Sequence, residues 1–115
     1  MAITRIQSIY LPADQVANTA DFYAGALGAA PKFREGDRWV QFAVGGTGFA
    51  IASHEEAASG ATAPVIVFES DDPADHDRWV AAGASPIEAR DMGDHGRTRT
   101  YRDPAGHLVQ LFWRA

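Results

Sequence analysis

Cysteine is absent from this chain of 115 residues. The absence excludes disulfide bonds, thiolate nucleophiles and the common cysteine-based zinc sites. Long apolar runs are also missing, because no uninterrupted run is longer than four residues, as at residues 65–68, whereas a membrane-spanning helix needs about 20. Residues 1–11 lack the continuous apolar core of a signal peptide. We therefore expect a cytoplasmic protein with no membrane span.

Positive charge is scarce. The chain has 10 Lys and Arg against 15 Asp and Glu, a net charge of −5 and a pI of about 5.2. Such a chain repels phosphate backbones, so nucleic acid is not an expected partner. Residues 90–102 hold four arginines that could meet an anionic group, but isolated surface charge is the commonest use of Arg, and we favour a solvated strand face.

The remaining composition is that of one ordinary folded domain. Hydrophobic residues make up 46% of the chain and charged residues 22%, which is far too apolar for a disordered protein. A chain of this length fits a single core.

The spacing of apolar residues, alternating in strands and every three or four residues in helices, predicts the same series of strands and helix twice. The first half predicts a strand, a helix from the N-cap Asp14 to the terminator Gly28, and three more strands, at residues 3–11, 31–34, 38–44 and 48–54. Apolar residues mark one side of that helix: Val16, Ala20, Tyr23 and Leu27.

The second half predicts a helix with Asp72 as N-cap and Pro73 at its first position, ending at about residue 82 before Gly83. The predicted strands are residues 65–69, 86–90, 97–102 and 107–113. An offset of 58 residues relates Asp14 to Asp72 and Gly48 to Gly106. We therefore expect a duplicated βαβββ unit, with module 1 at about 1–56, a linker at about 55–62 and module 2 at about 63–115.

Two segments resemble a known family. Asp21-Phe22-Tyr23 followed by Leu27-Gly28 resembles the "FY…LG" signature, and residues 103–107 resemble the "DP(D/A)G(N/H)" turn, of the vicinal oxygen chelate superfamily. That superfamily includes glyoxalase I, bleomycin-resistance proteins and extradiol dioxygenases. The resemblance implies an α+β fold, with two tandem βαβββ modules forming a cup-shaped, half-barrel mixed sheet that has its helices outside. It also implies a homodimer.

Strand alternation predicts which side chains would line such a cup. In the third strand the apolar set Val40, Phe42 and Val44 would pack under a helix, leaving Trp39, Gln41 and Ala43 toward the cup. In the last strand Val109 and Leu111 would pack outward, leaving Leu108, Gln110 and Phe112 toward the cup.

Metal-dependent relatives place ligands on the first, fourth, fifth and eighth strands. The resemblance puts Gln7 and Gln110 at the first and last of these positions and a residue at or beside Pro64 at the fifth strand, and the 58-residue repeat offset from Gln110 puts Ala52 at the fourth. Two neutral amides without carboxylate or imidazole partners do not suit a divalent ion. His54 is the one possible replacement, since it shares the parity of Ala52. We expect no metal and no other cofactor.

The other histidines have ordinary interpretations. His95 and Asp94 lie between Gly93 and Gly96, with Asp91 just before them, and could form an acid-base pair, but a polar hairpin loop is the favoured interpretation. His76 is taken as a helix-surface residue and His107 as a turn residue. No nucleophile-elbow motif is present.

Two functional hypotheses follow. The favoured one is a metal-free binding protein, similar to the bleomycin-resistance branch, that sequesters an aromatic antibiotic or related metabolite. Rings and aliphatic side chains would form its walls and glutamines would orient the ligand. The predicted ligand-binding residues are Gln7, Ile9, Trp39, Gln41, His54, Leu108, Gln110 and Phe112. The alternative is an enzyme, either metal-dependent like glyoxalase or a dioxygenase, or a metal-free isomerase or cyclase, with His54 or His95 as base. The negative net charge suits a neutral or cationic ligand.

Overall fold

The computed structural model describes residues 3–115. Its first series of elements is β1 (Ile3–Pro12), α1 (Val16–Leu27), β2 (Phe33–Glu35), β3 (Trp39–Val44) and β4 (Thr47–Ala52). The second series is β5 (Val65–Ser70), α2 (Asp75–Ala82), β6 (Ser85–Asp91), β7 (Arg97–Arg102) and β8 (Leu108–Trp113), with a short 3₁₀ turn at Gly93–His95. The predicted repeat of strand, helix and three strands is confirmed.

The strands follow the order β2-β3-β4-β1-β5-β8-β7-β6 in a mixed sheet. β1 pairs in parallel with β4, and β5 with β8, whereas the hairpin partners are antiparallel. The chain forms two compact units, which we call the first unit (residues 8–65) and the second unit (residues 66–115 with residues 3–7). The predicted α+β class is confirmed. Neither helix is long and apolar enough to cross a membrane.

The core of the first unit lies between α1 and the strands. Val16 and Ala20 of α1 are buried against Val40, Phe42 and Ile51. Val44 has the same parity as Val40 and Phe42, yet it is 51% exposed, so its predicted place under the helix is wrong. It lies at the turn end of the β3-β4 hairpin, past the strand residues that α1 covers.

The sequence predicts the end of α1 correctly but not its start. Gly28 has φ 68° and its N–H bonds to the carbonyl of Ala24, which confirms the predicted terminator. Asp14 is not the N-cap, because that position belongs to Gln15. The Asp14 carboxylate lies instead 2.8 Å from Nε2 of His54.

The core of the second unit lies between α2 and the strands. Tyr101, Leu111 and Trp113 are buried, and Trp79 of α2 packs against them. The ring centroids of Trp79 and Tyr101 are 5.3 Å apart. Most of the energy of this contact comes from apolar area removed from water, at about 25 cal/mol per Å².

The start of α2 is displaced from its predicted position. The N-cap is Ala74 rather than Asp72, and Pro73 therefore precedes the helix. Asp72 Oδ1 accepts the Ala74 N–H at 2.9 Å and closes a turn instead. That hydrogen bond, with a second from Arg78, lowers the pKa of the Asp72 carboxyl. The predicted terminator Gly83 is confirmed, with φ 118°.

Residues 53–64 join β4 to β5 and pack closely in spite of their linker-like composition. Ala57, Ala58 and Ala61 are buried. The Ala58 N–H donates to the hydroxyl of Tyr10 at 2.9 Å. Alanines suit this segment because a short side chain lets its backbone lie close to the strands.

The face assignment of β3 can be tested with two substitutions in one strand. Phe42→Ala should lower the free energy of unfolding by about 3–5 kcal/mol, because it leaves a cavity under α1. Val44→Ala, the matched control, should change it by no more than about 0.5 kcal/mol. Urea titration measures both values. Equal losses would contradict the assigned faces.

Candidate functional site

One face of the first unit's strands is not covered by α1. In the sheet register Gln41 lies opposite Ala50, Ala50 lies opposite Tyr10, and Trp39 lies opposite Ala52. Residues directly opposite on paired strands point to the same side. Since the alternate residues pack on α1, these five side chains form the face opposite the helix, which we call the first-unit face, and Tyr10, Ala50 and Ala52 are buried there. The predicted orientation of Trp39 and Gln41 away from the helix is confirmed.

An indole and an amide are fixed together on the first-unit face. Trp39 Nε1 donates to Gln41 Oε1 at 2.8 Å, and both side chains are half-buried. The Trp39 ring lies 5.4 Å from the ring of the buried Tyr10. Because Gln41 uses its oxygen on the indole, its amide nitrogen is the group that can donate to a ligand. Ala50 and Ala52 are fully buried, so Trp39 and Gln41 are the side chains among these five that reach solvent.

A further aromatic side chain belongs to this face and was missed by the sequence analysis. Phe33 of the short strand β2 lies opposite Gln41 and is 46% exposed. Only the pairing of β2 with β3 reveals it, since a strand of three residues has no readable alternation.

β1 turns toward α1 the side that was predicted to face the ligand with Trp39, the side of Gln7 and Ile9. Ile9 lies opposite Phe49, and Leu11 lies opposite Ile51, so both belong to the α1 side. Placing Ile9 on the same face as Trp39 was therefore wrong, and alternation puts Gln7 on the Ile9 side of β1. Ser8, which is buried, takes the other side. Both faces of β1 are partly apolar, so its pattern alone does not determine which side faces the helix.

The second unit has a corresponding uncovered face. Val109, Leu111 and Trp113 belong to the core under α2, which leaves Leu108, Gln110 and Phe112 on the opposite side, as predicted. The register adds residues from the neighbouring strands. The second-unit face consists of Val67, Glu69, Thr98, Thr100, Arg102, Leu108, Gln110 and Phe112.

A buried amide and hydroxyl lie at the middle of the second-unit face. Gln110 Nε2 donates to Thr100 Oγ1 at 2.8 Å, and both residues are buried. Thr98 lies opposite Phe112 and is half-buried. Sequence analysis missed both threonines, although alternation in β7 combined with the pairing of β7 and β8 would have placed them.

A close backbone contact limits where the Phe112 ring can lie. A Cβ atom on Gly96 would meet Phe112 Cε1 at 2.7 Å and the Trp113 carbonyl oxygen at 2.4 Å. Gly96 also has φ 89°, a conformation that side chains disfavour. The glycine therefore lets the turn before β7 pack directly against the aromatic ring.

His95 and His54 both lie in loops. Asp91 Oδ1 accepts the Gly93 N–H at 2.9 Å, as in a polar hairpin turn, and within residues 3–115 no hydrogen bond joins His95 to Asp91 or Asp94. β4 ends at Ala52, so His54 lies past the strand rather than at its predicted end. It is exposed and pairs with Asp14, as described above.

His76, to which we assigned no role, connects α2 to β7. Its Nδ1 lies 2.8 Å from the Tyr101 hydroxyl, and its Nε2 lies 3.4 Å from Arg99 Nη1. A guanidinium only donates, so Nε2 accepts and Nδ1 carries the proton that is donated to the phenol oxygen. Burial raises the pKa of Tyr101 to about 12, although Arg99 acts in the opposite direction.

The residues at the superfamily's metal positions do not fit a divalent ion. Ala52 has no ligating atom, and neither Pro64 nor Val65 supplies a ligating side chain at the start of β5. Gln110, whose amide nitrogen donates to Thr100, could offer only a neutral amide oxygen. Within residues 3–115 no group of three or more His, Asp or Glu side chains could hold a metal.

Two consecutive βαβββ series, each with a helix on one strand face, define the vicinal oxygen chelate fold that the "FY…LG" and "DPAG" segments implied. The chain belongs to the glyoxalase-like domain family, whose family model matches residues 8–112. No curated protein sequence matches it.

Solved structures share this fold at low sequence identity. A Legionella pneumophila protein described as an NAD-dependent benzaldehyde dehydrogenase has a TM-score of 0.78 at 20% identity, covering 94% of this chain and 98% of that one. Methylmalonyl-CoA epimerase from Mycobacterium tuberculosis has 0.75 at 16%, covering 98% and 89%. A glyoxalase/bleomycin resistance protein/dioxygenase superfamily member from Vibrio splendidus 12B01 has 0.67 at 14%, covering 96% and 99%. The likeness concerns the fold alone.

The raised pKa of Tyr101 gives a pH-dependent prediction. The folded protein keeps this phenol protonated above pH 10, where an unfolded tyrosine ionises, so its contribution to stability is complete below pH 10 and lost as the pH rises through about 12. When the pH is raised, the ultraviolet absorbance of tyrosinate should show a transition near pH 12 that Tyr101→Phe removes. If the unsubstituted protein shows no transition near pH 12, the burial assigned to Tyr101 is contradicted.

Proposed function

We propose that this protein binds a small aromatic molecule, without a metal ion, on a strand face that its helices leave uncovered. The observation that carries the proposal is the same on both faces. An aromatic ring lies beside a glutamine whose amide is already oriented by a hydrogen bond: Trp39 with Gln41, and Phe112 with Gln110. Sequestration of an aromatic antibiotic or related metabolite is the form of binding that we favour.

Rings and amides are sufficient for such a ligand. An aromatic pair adds about 0.5–1.5 kcal/mol beyond the area that it buries. A polar ligand atom left without a partner in a dry site costs about 1–3 kcal/mol, so oriented amides discriminate between ligands. The Trp39–Gln41 bond also reduces the side-chain freedom that would otherwise be lost on binding.

The shared fold supports a small-molecule ligand, because one of the similar structures, methylmalonyl-CoA epimerase from Mycobacterium tuberculosis, is named for a small-molecule substrate. The absence of a fitting ligand set at the metal positions favours binding over metal-dependent catalysis. The half-exposed Phe33 enlarges the apolar part of the first-unit face and suits a flat ring.

A neutral probe tests the proposal. 2-Naphthamide, an aromatic amide, should bind saturably with a submillimolar Kd in isothermal titration calorimetry. Trp39→Phe or Gln41→Ala should weaken binding about 5- to 30-fold if the first-unit face is used, and Gln110→Ala or Phe112→Ala if the second-unit face is used.

Phe22→Ala is the matched control for these variants. Phe22 is 64% exposed on α1, so its removal should leave the Kd unchanged. Failure of 2-naphthamide to bind, or a Kd that none of the four face variants alters, would refute the proposed function.

We also propose a homodimer. The strand at one end of the sheet order, β6, carries the exposed apolar side chain Ile87. Edges of this kind are commonly covered by a partner. Light scattering after size exclusion should give twice the 12.4 kDa chain mass. A monomeric mass at every concentration would contradict the proposal.

A further inference from the structure

β6 has its charged and apolar sides reversed. An end strand of a sheet normally turns its apolar residues toward the sheltered side and its charges to solvent. Here Glu88 and Arg90 are the only β6 residues that are partly buried, whereas Ile87 is 43% exposed and Ala89 is exposed.

A β-bulge causes the reversal. Pro86 lies opposite Tyr101, and the next paired residue is Glu88, opposite Thr100, so Ile87 is an extra residue without a partner. Without the extra residue, regular alternation would place Ile87 opposite Thr100. Bulges often redirect side chains beside functional sites. This one turns two charged residues onto the side of the second-unit face.

The charged residues form a pair at the border of the second-unit face. Arg90 Nη2 lies 3.3 Å from Glu88 Oε1, with 31% and 23% of the two side chains exposed. Arg90 lies opposite Thr98, which in turn lies opposite Phe112. Arg90 therefore lies in one row across the strands with Thr98 and Phe112, and Glu88 lies in the next row with Thr100 and Gln110.

The other buried acid on this side is already balanced. Glu69 lies opposite Phe112, and its two oxygens meet Arg5 at 3.2 Å and Arg114 at 2.8 Å. The Glu69 side chain is only 9% exposed, against 23% for Glu88 and 31% for Arg90, so the β6 pair is the one that a ligand can reach.

We infer that the Glu88–Arg90 pair recognises the dipolar end of a zwitterionic aromatic ligand, with Arg90 bound to a carboxylate and Glu88 to an ammonium group. The inference rests on the proposed function and specifies its ligand class. A ligand carrying both charges lets each side chain exchange its partner for another of the same sign, so charge balance is kept. A ligand that carries only a negative charge would be repelled by Glu88, and one that carries only a positive charge would be repelled by Arg90.

Three probes that share a ring test the inference by calorimetry: L-phenylalanine (both charges), 3-phenylpropionate (carboxylate only) and 2-phenylethylamine (ammonium only). The parent should bind L-phenylalanine at least about fivefold more tightly than either analogue. Glu88→Gln should remove the preference over 3-phenylpropionate, and Arg90→Gln the preference over 2-phenylethylamine.

Matched controls come from an exposed ion pair in the first unit. Arg34 and Asp21 lie 3.8 Å apart, and Arg34→Gln or Asp21→Asn changes the net charge by the same amount. Both should leave the probe preferences intact. The double variant Glu88→Arg with Arg90→Glu retains an ion pair on β6, so it should fold while losing affinity for L-phenylalanine.

The outcomes separate this inference from the proposed function. Equal affinity for the three probes, with 2-naphthamide still bound, would overturn the inference alone. Unchanged preferences in the Glu88 and Arg90 variants, together with new aggregation, would also overturn it, because the pair would then serve only to protect the edge strand. If no aromatic probe binds, both proposals fail.

Discussion

In each unit one helix packs against one face of the strands, and the two-residue period of a strand then assigns every second side chain to the face left uncovered. Phe42 and Val40 fill the space under α1, so Trp39 and Gln41 must lie on the other side. Leu111 and Trp113 similarly fix Gln110 and Phe112. The cores therefore determine the candidate binding surfaces as well as the stability of the chain.

The uncovered faces have the chemistry of a binding surface for organic molecules. Hydrogen-bonded amides and hydroxyls lie on both faces, at Gln41 and at Gln110 with Thr100, and the buried acid Glu69 is paired with arginines. On β6 one extra residue, Ile87, turns the charged Glu88 and Arg90 to the side of the second-unit face. A bulge can thus change the charge of a face without changing the fold.

Much of the fold was predictable because local signals agree with tertiary structure. The terminators Gly28 and Gly83, and the apolar residues of β3 and β8, place most elements correctly. The remaining features depend on contacts between distant residues. Asp14 pairs with His54 rather than capping α1, and the apolar residues on both sides of β1 hide the true side of Ile9. The bulge in β6, the threonines of β7 and the contribution of Phe33 become visible only once strands are paired.

The central claim is that oriented rings and neutral amides suffice to hold the ligand. The most direct measurement is an NMR titration with 2-naphthamide before and after exhaustive removal of divalent ions by a chelator. We expect the same Kd in both conditions, with the largest shifts in the indole N–H of Trp39 and the side-chain amide of Gln41, or in the side-chain amide of Gln110. Binding that disappears with the chelator and returns with a divalent ion would contradict the account.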